Sequence, residues 1–128
     1  MSAMSTEMSP RSLLIKITCG AEAPERANQA WTVAAMGIAA GAAVSVWLTG
    51  EAVWFAVPRR QPDLELPYAS PVAELIENVR LGGTITVCTQ CAARRELVVE
   101  DLVESATIQG AASFVEAALA ANVQALVY

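Results

Sequence analysis

The stretch SLLIKITCGAEAPERANQAWTVAAMGIAAGAAVSVWL, residues 12–48, decides the fold. Residues 12–18 form a short apolar run, which is typical of a strand. Pro24 then opens a segment whose apolar residues recur at helical spacing, and Gly41 ends that segment. A second β-branched run follows at residues 43–48. The stretch therefore predicts a strand, a helix and a second strand.

The rest of the chain continues this alternation. Ser70 and Pro71 are predicted to cap and open a helix before the third strand. Ser113 and Glu116 form a predicted capping box for a helix before the fifth strand. Apolar strands that alternate with helices predict an α/β fold with a parallel sheet covered on both faces. The three later strands are predicted at residues 84–87, 106–108 and 124–128.

The composition indicates one domain that assembles into oligomers. The chain has 128 residues, which is enough for one sizeable core. We predict a disordered tail over residues 1–11 and a single domain over residues 12–128. Apolar residues make up 55% of the chain and aromatic residues only 5%, so Ala and Val supply a large apolar surplus. Because monomers rarely leave large apolar patches in water, we expect a homo-oligomer.

The charged residues exclude several classes of function. The chain has 8 basic and 13 acidic residues and a net charge of −5. This balance argues against nucleic acid as a partner, because binding to phosphate backbones depends on clustered Lys and Arg. The chain contains no histidine, so Ser-His, Cys-His and His-metal chemistry within one chain are excluded.

Two segments bear on where the protein works. Residues 27–50 carry no charge and are long enough to cross a bilayer, but they are rich in Ala and Gly and change from a helical to a strand-like pattern. Residues 1–10 lack the basic and apolar parts of a signal peptide. We therefore predict no membrane span and a cytoplasmic location, where cysteines stay reduced.

The carboxyl ends of the predicted strands carry the candidate site. In open parallel sheets, binding and chemistry gather at that edge. Cys88 directly follows the third predicted strand and is the candidate reactive residue. The candidate binding residues lie beside it or after the first two strands: Cys19, Gly20, Gly50, Glu51 and Thr89.

The C-x-x-C spacing of Cys88 and Cys91 allows four interpretations. A zinc site would need two more ligands, and only Cys19 remains within one chain. A dithiol redox pair fits the position after a strand, although the aromatic and proline neighbours of thioredoxin-like motifs are absent. Both cysteines can also be inert. The fourth interpretation is a nucleophile, because N–H groups at the start of the following helix would stabilise a thiolate at Cys88.

Two arginines follow the cysteines. If helical residues cover 90–97, Arg94 and Arg95 lie three and four positions after Cys91, and their side chains lean back toward the first turn. The alternative is a solvated face on which both arginines pair with the acidic residues of 100–104. The residue types alone leave both interpretations open.

Four blocks within residues 14–128 resemble the DsrE/DsrF-like family, which includes TusD and the YchN-type small proteins. The resemblance implies a three-layer α/β/α fold with a five-stranded parallel sheet and assembly into homotrimers or homohexamers. It also implies that sulfur-relay members carry sulfur as a persulfide on the cysteine after the third strand. The blocks are GAEAPERANQAWTVAAMGIAAGA, VWLTGEAV, VCTQCAARREL and VEDLVESATIQGAASFVEAALAANVQALVY.

The resemblance assigns expected roles to individual residues. Cys88 corresponds to the persulfide cysteine, and Cys91 to a second cysteine that YchN-type members carry and TusD replaces by alanine. Arg95 corresponds to the arginine of the family's Arg-Gly pair, in which Glu96 of this chain replaces the glycine. Glu51 stands where the family often has an acidic residue. The resemblance thus implies catalytic roles for Cys88, Cys91 and Arg95.

Three hypotheses of function follow. The first is a cytoplasmic sulfur-transfer protein that accepts sulfane sulfur on Cys88 from a donor protein and passes it to an acceptor protein. In that role Arg95 would favour the anionic sulfur, and neither a metal nor an organic cofactor would be needed. The second is a non-catalytic oligomeric module whose strand-end pockets bind a small molecule or a partner. The third is a dithiol oxidoreductase that uses Cys88 and Cys91.

Overall fold

The computed structural model describes residues 11–128, which form one five-stranded parallel sheet. The strand order is β4-β3-β2-β1-β5, and every neighbouring pair of strands is parallel. This confirms the predicted α/β architecture and sheet. Of the predicted tail, all residues but Arg11 lie outside the described part of the chain. The strands are β1 (Ser12–Ile17), β2 (Ala43–Leu48), β3 (Thr84–Cys88), β4 (Thr107–Gln109) and β5 (Val123–Val127).

Helices and short 3-10 segments connect the strands. The predicted helix between the first two strands is present, and the segment after β2 forms a 3-10 helix. The α-helices are α1 (Pro24–Ala39), α2 (Val72–Gly82), α3 (Thr89–Arg94) and α4 (Ala111–Ala118). The 3-10 helices are Gly50–Ala56, Pro58–Arg60 and Val99–Asp101.

The main core lies between the sheet and the helix pair α1 and α2. Side chains alternate between the two faces of a strand, and the face toward this pair presents Ile15, Ile17, Val46 and Leu48, none of which exposes any surface. Trp31 of α1 is fully buried and meets Phe55 edge to face, with ring centroids 5.7 Å apart. The buried side of α2 consists of the four predicted residues: Val72, Leu75, Ile76 and Val79.

The opposite face of the sheet is covered only in part. Helix α4 crosses it, with Phe114 edge to face against Trp47 at a centroid distance of 5.4 Å. No residue of α4 is buried. Val115, Leu119 and Val127 are 51%, 81% and 65% exposed, so apolar surface remains open on α4 and β5.

Two predicted helix caps are wrong. Helix α2 begins after Pro71, whose carbonyl accepts the N–H groups of Glu74 and Leu75, so Pro71 and not Ser70 occupies the N-cap position. Helix α4 is capped in the same way by the carbonyl of Gly110, which accepts the N–H of Ser113. Ser113 therefore lies inside the first turn. In both helices the backbone alone starts the first turn, without a side-chain cap.

The uncharged segment of residues 27–50 is divided between α1 and β2. Within residues 11–128, no helix is both long enough and apolar enough to span a membrane.

Candidate functional site

Cys88 joins a strand to a helix. It is the last residue of β3 and the N-cap of α3, with extended backbone angles of φ −63° and ψ 131°. Its side chain is half-buried, whereas Cys91, one turn later, is only 7% exposed. The structure therefore leaves Cys88 accessible and withdraws Cys91 into the protein. All three cysteines are free thiols.

The surroundings of Cys88 favour its thiolate. Burial on its own raises the pKa of the Cys88 thiol, but the nearby backbone N–H groups of Cys91 and Gln90 and the Cys91 thiol, which would stabilise a thiolate, lower it. The positive charge of Lys16 lowers it further, and the net effect is a pKa below the ordinary value. Because the thiolate is the nucleophilic form of cysteine, this arrangement favours a nucleophilic Cys88.

The loop after β2 holds Cys91 in place. The backbone N–H of Gly50 donates a hydrogen bond of 3.2 Å to Sγ of Cys91. Gly50 has a φ of +56°, and a Cβ atom there would lie 3.0 Å from the carbonyl oxygen of Thr18. A glycine is therefore needed where the ends of β1 and β2 meet α3.

Arg95 connects α3 to the same loop. Its guanidinium donates at 2.8 Å to the Glu51 carboxylate and at 3.1 Å to the carbonyl oxygen of Cys91, and its side chain is only 19% exposed. Arg95 thus has defined partners instead of lying on a solvated face. The positive charge of Lys16 lowers the pKa of the Cys88 thiol, whereas Arg95 is paired with Glu51 and the Cys91 carbonyl.

Glu96 lies in the turn that ends α3. It has a φ of +56°, in the left-handed region that favours glycine, directly after the C-cap of α3. Its N–H donates to the carbonyl of Ala93, so the turn that ends the helix forms with a side chain at this position. The chain therefore keeps a glycine-like turn at this position at some cost in strain.

Of the other predicted binding residues, Gly20 and Thr89 lie near the site, whereas Cys19 does not. Gly20 adjoins the Glu51 loop, since a Cβ on Gly20 would lie 2.9 Å from the Glu51 carbonyl oxygen. Thr89 borders Gly110 at the start of α4. Cys19 is 3% exposed, and its pKa is raised by burial and by the charge of Glu22, with no contribution from the other cysteines. Cys19 therefore belongs to the core beside α1.

The site includes a cavity that the sequence did not reveal. Lys16 pairs with Trp47 across β1 and β2, and Trp47 pairs with Thr86 of β3, so these side chains lie on the face that Cys88 shares two residues later. Helix α4 closes the cavity, whose volume is about 250 Å³. The lining residues are Lys16, Trp47, Thr49, Cys88, Gly110, Ala111, Phe114 and Val115. Within the sequence, only Lys16, a lone cation in an apolar strand, could have indicated this cavity.

The described residues offer no ready-made metal centre. Among residues 11–128, no three Cys, Asp or Glu side chains are grouped so that they could hold a metal ion. Cys88 and Cys91 have no third ligand beside them there, so the zinc interpretation gains no support.

The family assignment comes from comparison with known proteins. The model of the DsrE/DsrF-like family matches residues 11–124. The crystal structure of the YchN protein from E. coli superposes with a TM-score of 0.68 at 12% identity, covering 92% of this chain and 99% of that one. A protein of unknown function from Methanobacterium thermoautotrophicum, MTH1491, superposes with a TM-score of 0.66 at 10% identity and the same coverage. No curated protein matches the sequence. At these identities the two structures establish a shared fold.

Proposed function

Because this chain belongs to the DsrE/DsrF-like family, we propose that it is a sulfur-transfer protein that carries sulfane sulfur as a persulfide on Cys88. One observation carries the proposal: Cys88 is an accessible thiol with a lowered pKa at the edge of a cavity. A cysteine that only packs in a core requires neither accessibility nor a lowered pKa. Chemistry at a strand end also fits the general behaviour of open parallel sheets.

The chemistry of loading and release requires only thiols. The Cys88 thiolate attacks the sulfane sulfur of a donor, a bond forms between the two sulfur atoms, and the remainder of the donor leaves with the electron pair of the broken bond. An acceptor thiolate then attacks the terminal sulfur and releases Cys88 as a thiolate. Both steps exchange one bond to sulfur for another, so neither a metal nor an organic cofactor takes part.

Cys91 and Arg95 support this step in different ways. The Cys91 thiol, which lies near Cys88, would stabilise negative charge there. Arg95 holds the Cys91 carbonyl and Glu51, so we assign it a positioning role that keeps α3 against the loop after β2. Its contribution to an anionic sulfur then runs through Cys91.

Transfer implies partners. We propose a donor and an acceptor protein in the cytoplasm and a homotrimer or homohexamer as the working form. The open apolar surface of Val115, Leu119 and Val127 supports assembly. Light scattering should report a mass that is three or six times 13.5 kDa. A monomer at micromolar concentration would contradict the assembly.

A dithiol oxidoreductase is the second candidate, because the Cys91 thiol lies one helical turn after Cys88 and near enough to lower the pKa of its thiol. In that case oxidation would link the two sulfur atoms, and persulfide would not accumulate. The non-catalytic binding module remains the third candidate, and it would leave both thiols unmodified.

Peptide mass spectrometry after exposure to inorganic polysulfide separates the three candidates. Cleavage after Arg80 and Arg94 gives one peptide with both Cys88 and Cys91, so fragmentation must locate the added sulfur. We expect the mass of one sulfur atom on Cys88 in the parent protein and in Cys91→Ser, and none in Cys88→Ser. A Cys88–Cys91 disulfide would favour the oxidoreductase, and unmodified thiols would favour the binding module.

A further inference from the structure

The cavity beside Cys88 combines an aromatic wall with a single cation. Trp47 from the sheet and Phe114 from α4 meet at an interplanar angle of 77°. The ammonium of Lys16 lies 5.0 Å from the centroid of the Phe114 ring. Of the described residues that line the cavity, Lys16 alone is charged. It is also the only lysine in the chain.

The cavity has the size of a fragment-like ligand. Its volume is about 250 Å³. An apolar cavity of roughly 150 Å³ holds a benzene molecule, and pockets for drug-sized ligands begin at roughly 300 Å³. One aromatic ring or a short alkyl chain with a small head group therefore fits, whereas a peptide segment or a nucleotide does not.

These features point to a small-molecule sulfur donor that loads Cys88 in addition to a donor protein. Resting on the function proposed above, we propose that the cavity accepts a small organic thiosulfonate, whose apolar body packs against the wall formed by Trp47 and Phe114 and whose anionic sulfur faces Lys16 and Cys88. A strongly hydrated inorganic dianion is excluded as the preferred ligand. Only the side chains of Thr49 and Lys16 could replace its hydrogen bonds to water, and the rest of the lining is mostly apolar.

The transfer is balanced in atoms, charge and electrons. The Cys88 thiolate attacks the terminal sulfur of the thiosulfonate and forms a bond to it. The bond between that sulfur and the sulfonyl sulfur breaks, and its electron pair leaves with the sulfinate. Cys88 becomes a persulfide anion, and the total charge is unchanged. Two anions must approach each other in this step, and Lys16 offsets their repulsion.

Loading rates with three reagents test the proposal. The reagents are benzenethiosulfonate, thiosulfate and inorganic polysulfide, and each rate is divided by the rate of the same reagent with free cysteine. We expect the normalised rate for benzenethiosulfonate to exceed that for thiosulfate by tenfold or more, which corresponds to about 1.4 kcal/mol. Equal normalised rates would overturn the thiosulfonate assignment. If polysulfide also fails to load Cys88, the proposed function itself fails.

Two variants on α4 form a matched pair. Ala111 is exposed and lines the cavity, whereas the neighbouring Ala112 is exposed and does not. Ala111→Phe should fill the cavity and lower the benzenethiosulfonate rate by tenfold or more, a much larger factor than any loss in the polysulfide rate. Ala112→Phe should change neither rate. Equal losses for both reagents in Ala111→Phe, or the same loss in Ala112→Phe, would contradict a donor that sits in the cavity.

A binding measurement on the parent protein needs no variant. Benzenesulfonate lacks the sulfane sulfur and cannot load Cys88, but it should occupy the cavity. We expect it to slow the acetylation of Lys16, which peptide mass spectrometry can follow, and methanesulfonate at the same concentration should protect much less. Acetylation of Lys16 at an unchanged rate would contradict the proposal.

Discussion

The backbone N–H of Gly50 and Sγ of Cys91 are joined by a hydrogen bond of 3.2 Å that links the loop after β2 to α3. The contact depends on a glycine, since φ is +56° and a Cβ would lie 3.0 Å from the Thr18 carbonyl oxygen. This hydrogen bond fixes Cys91, which is buried, whereas Cys88 remains accessible. The two cysteines therefore differ in their access to solvent and reagents.

Gly50→Ala should lower the free energy of unfolding by about 2 kcal/mol, which combines the strain of a positive φ with the close approach to Thr18. Gly41→Ala is the control, because Gly41 has a φ of +91° but nothing within 4 Å of a Cβ. It should cost only about 1 kcal/mol. Urea unfolding measures both, and equal losses would mean that the contact with Thr18 contributes nothing.

Alkylation rates against pH should identify Cys88 as the most reactive thiol. Because its pKa is lowered, its rate should reach half of the maximum at a lower pH than that of free cysteine, whose pKa is about 8.5. Below that midpoint the thiol is protonated and the rate falls. Cys19, buried and with a raised pKa, should react slowly.

Substitution of Lys16 checks the cause of this shift. Lys16→Met should move the midpoint to higher pH, because the charge of Lys16 lowers the pKa of Cys88. Arg59→Met, which changes a side chain that is 82% exposed, should not move it. Cys88→Ser should abolish the fast phase. A fast phase that persists there, from Cys91 or Cys19, would refute the assignment.

The fold was predictable from the sequence to a greater extent than the site. Apolar runs located all five strands, and the rule that chemistry gathers at strand ends pointed to Cys88. Lys16, Trp47 and Phe114 were missed because their proximity depends on strand register and on the long crossover from β4 to β5, which carries α4 across the sheet. The partners of Arg95 were missed for a similar reason, since Glu51 is 44 residues away in the chain.

Arg95→Ala should lower the free energy of unfolding by about 1 kcal/mol, because it removes two hydrogen bonds of which one reaches a half-exposed carboxylate. Glu51→Gln is the control and should cost less, since an amide oxygen can still accept. If Arg95 only positions α3, the pH midpoint of Cys88 alkylation should move less in Arg95→Ala than in Lys16→Met. A larger movement would place the charge of Arg95 at the sulfur.

Glu96→Gly should stabilise the protein. Glu96 adopts a φ of +56°, and glycine reaches this conformation without the strain of a side chain, so a gain of about 0.5–1 kcal/mol is expected. Glu116→Gly, an exposed change inside α4, should instead destabilise by about 1 kcal/mol. Thermal or urea unfolding compares the two, and a loss of stability in Glu96→Gly would contradict the strain.

The most direct test of the central claim is the amount of cyanide-labile sulfur on protein that has been loaded with polysulfide and then desalted. We expect the parent protein to carry this sulfur in an amount equal to the number of chains, to lose it when an acceptor thiol is added, and to recover it on reloading. Cys91→Ser should load more slowly, and Cys88→Ser should carry none. Labile sulfur that remains in Cys88→Ser, or its absence from the parent protein, would contradict the account of Cys88 as a sulfur carrier.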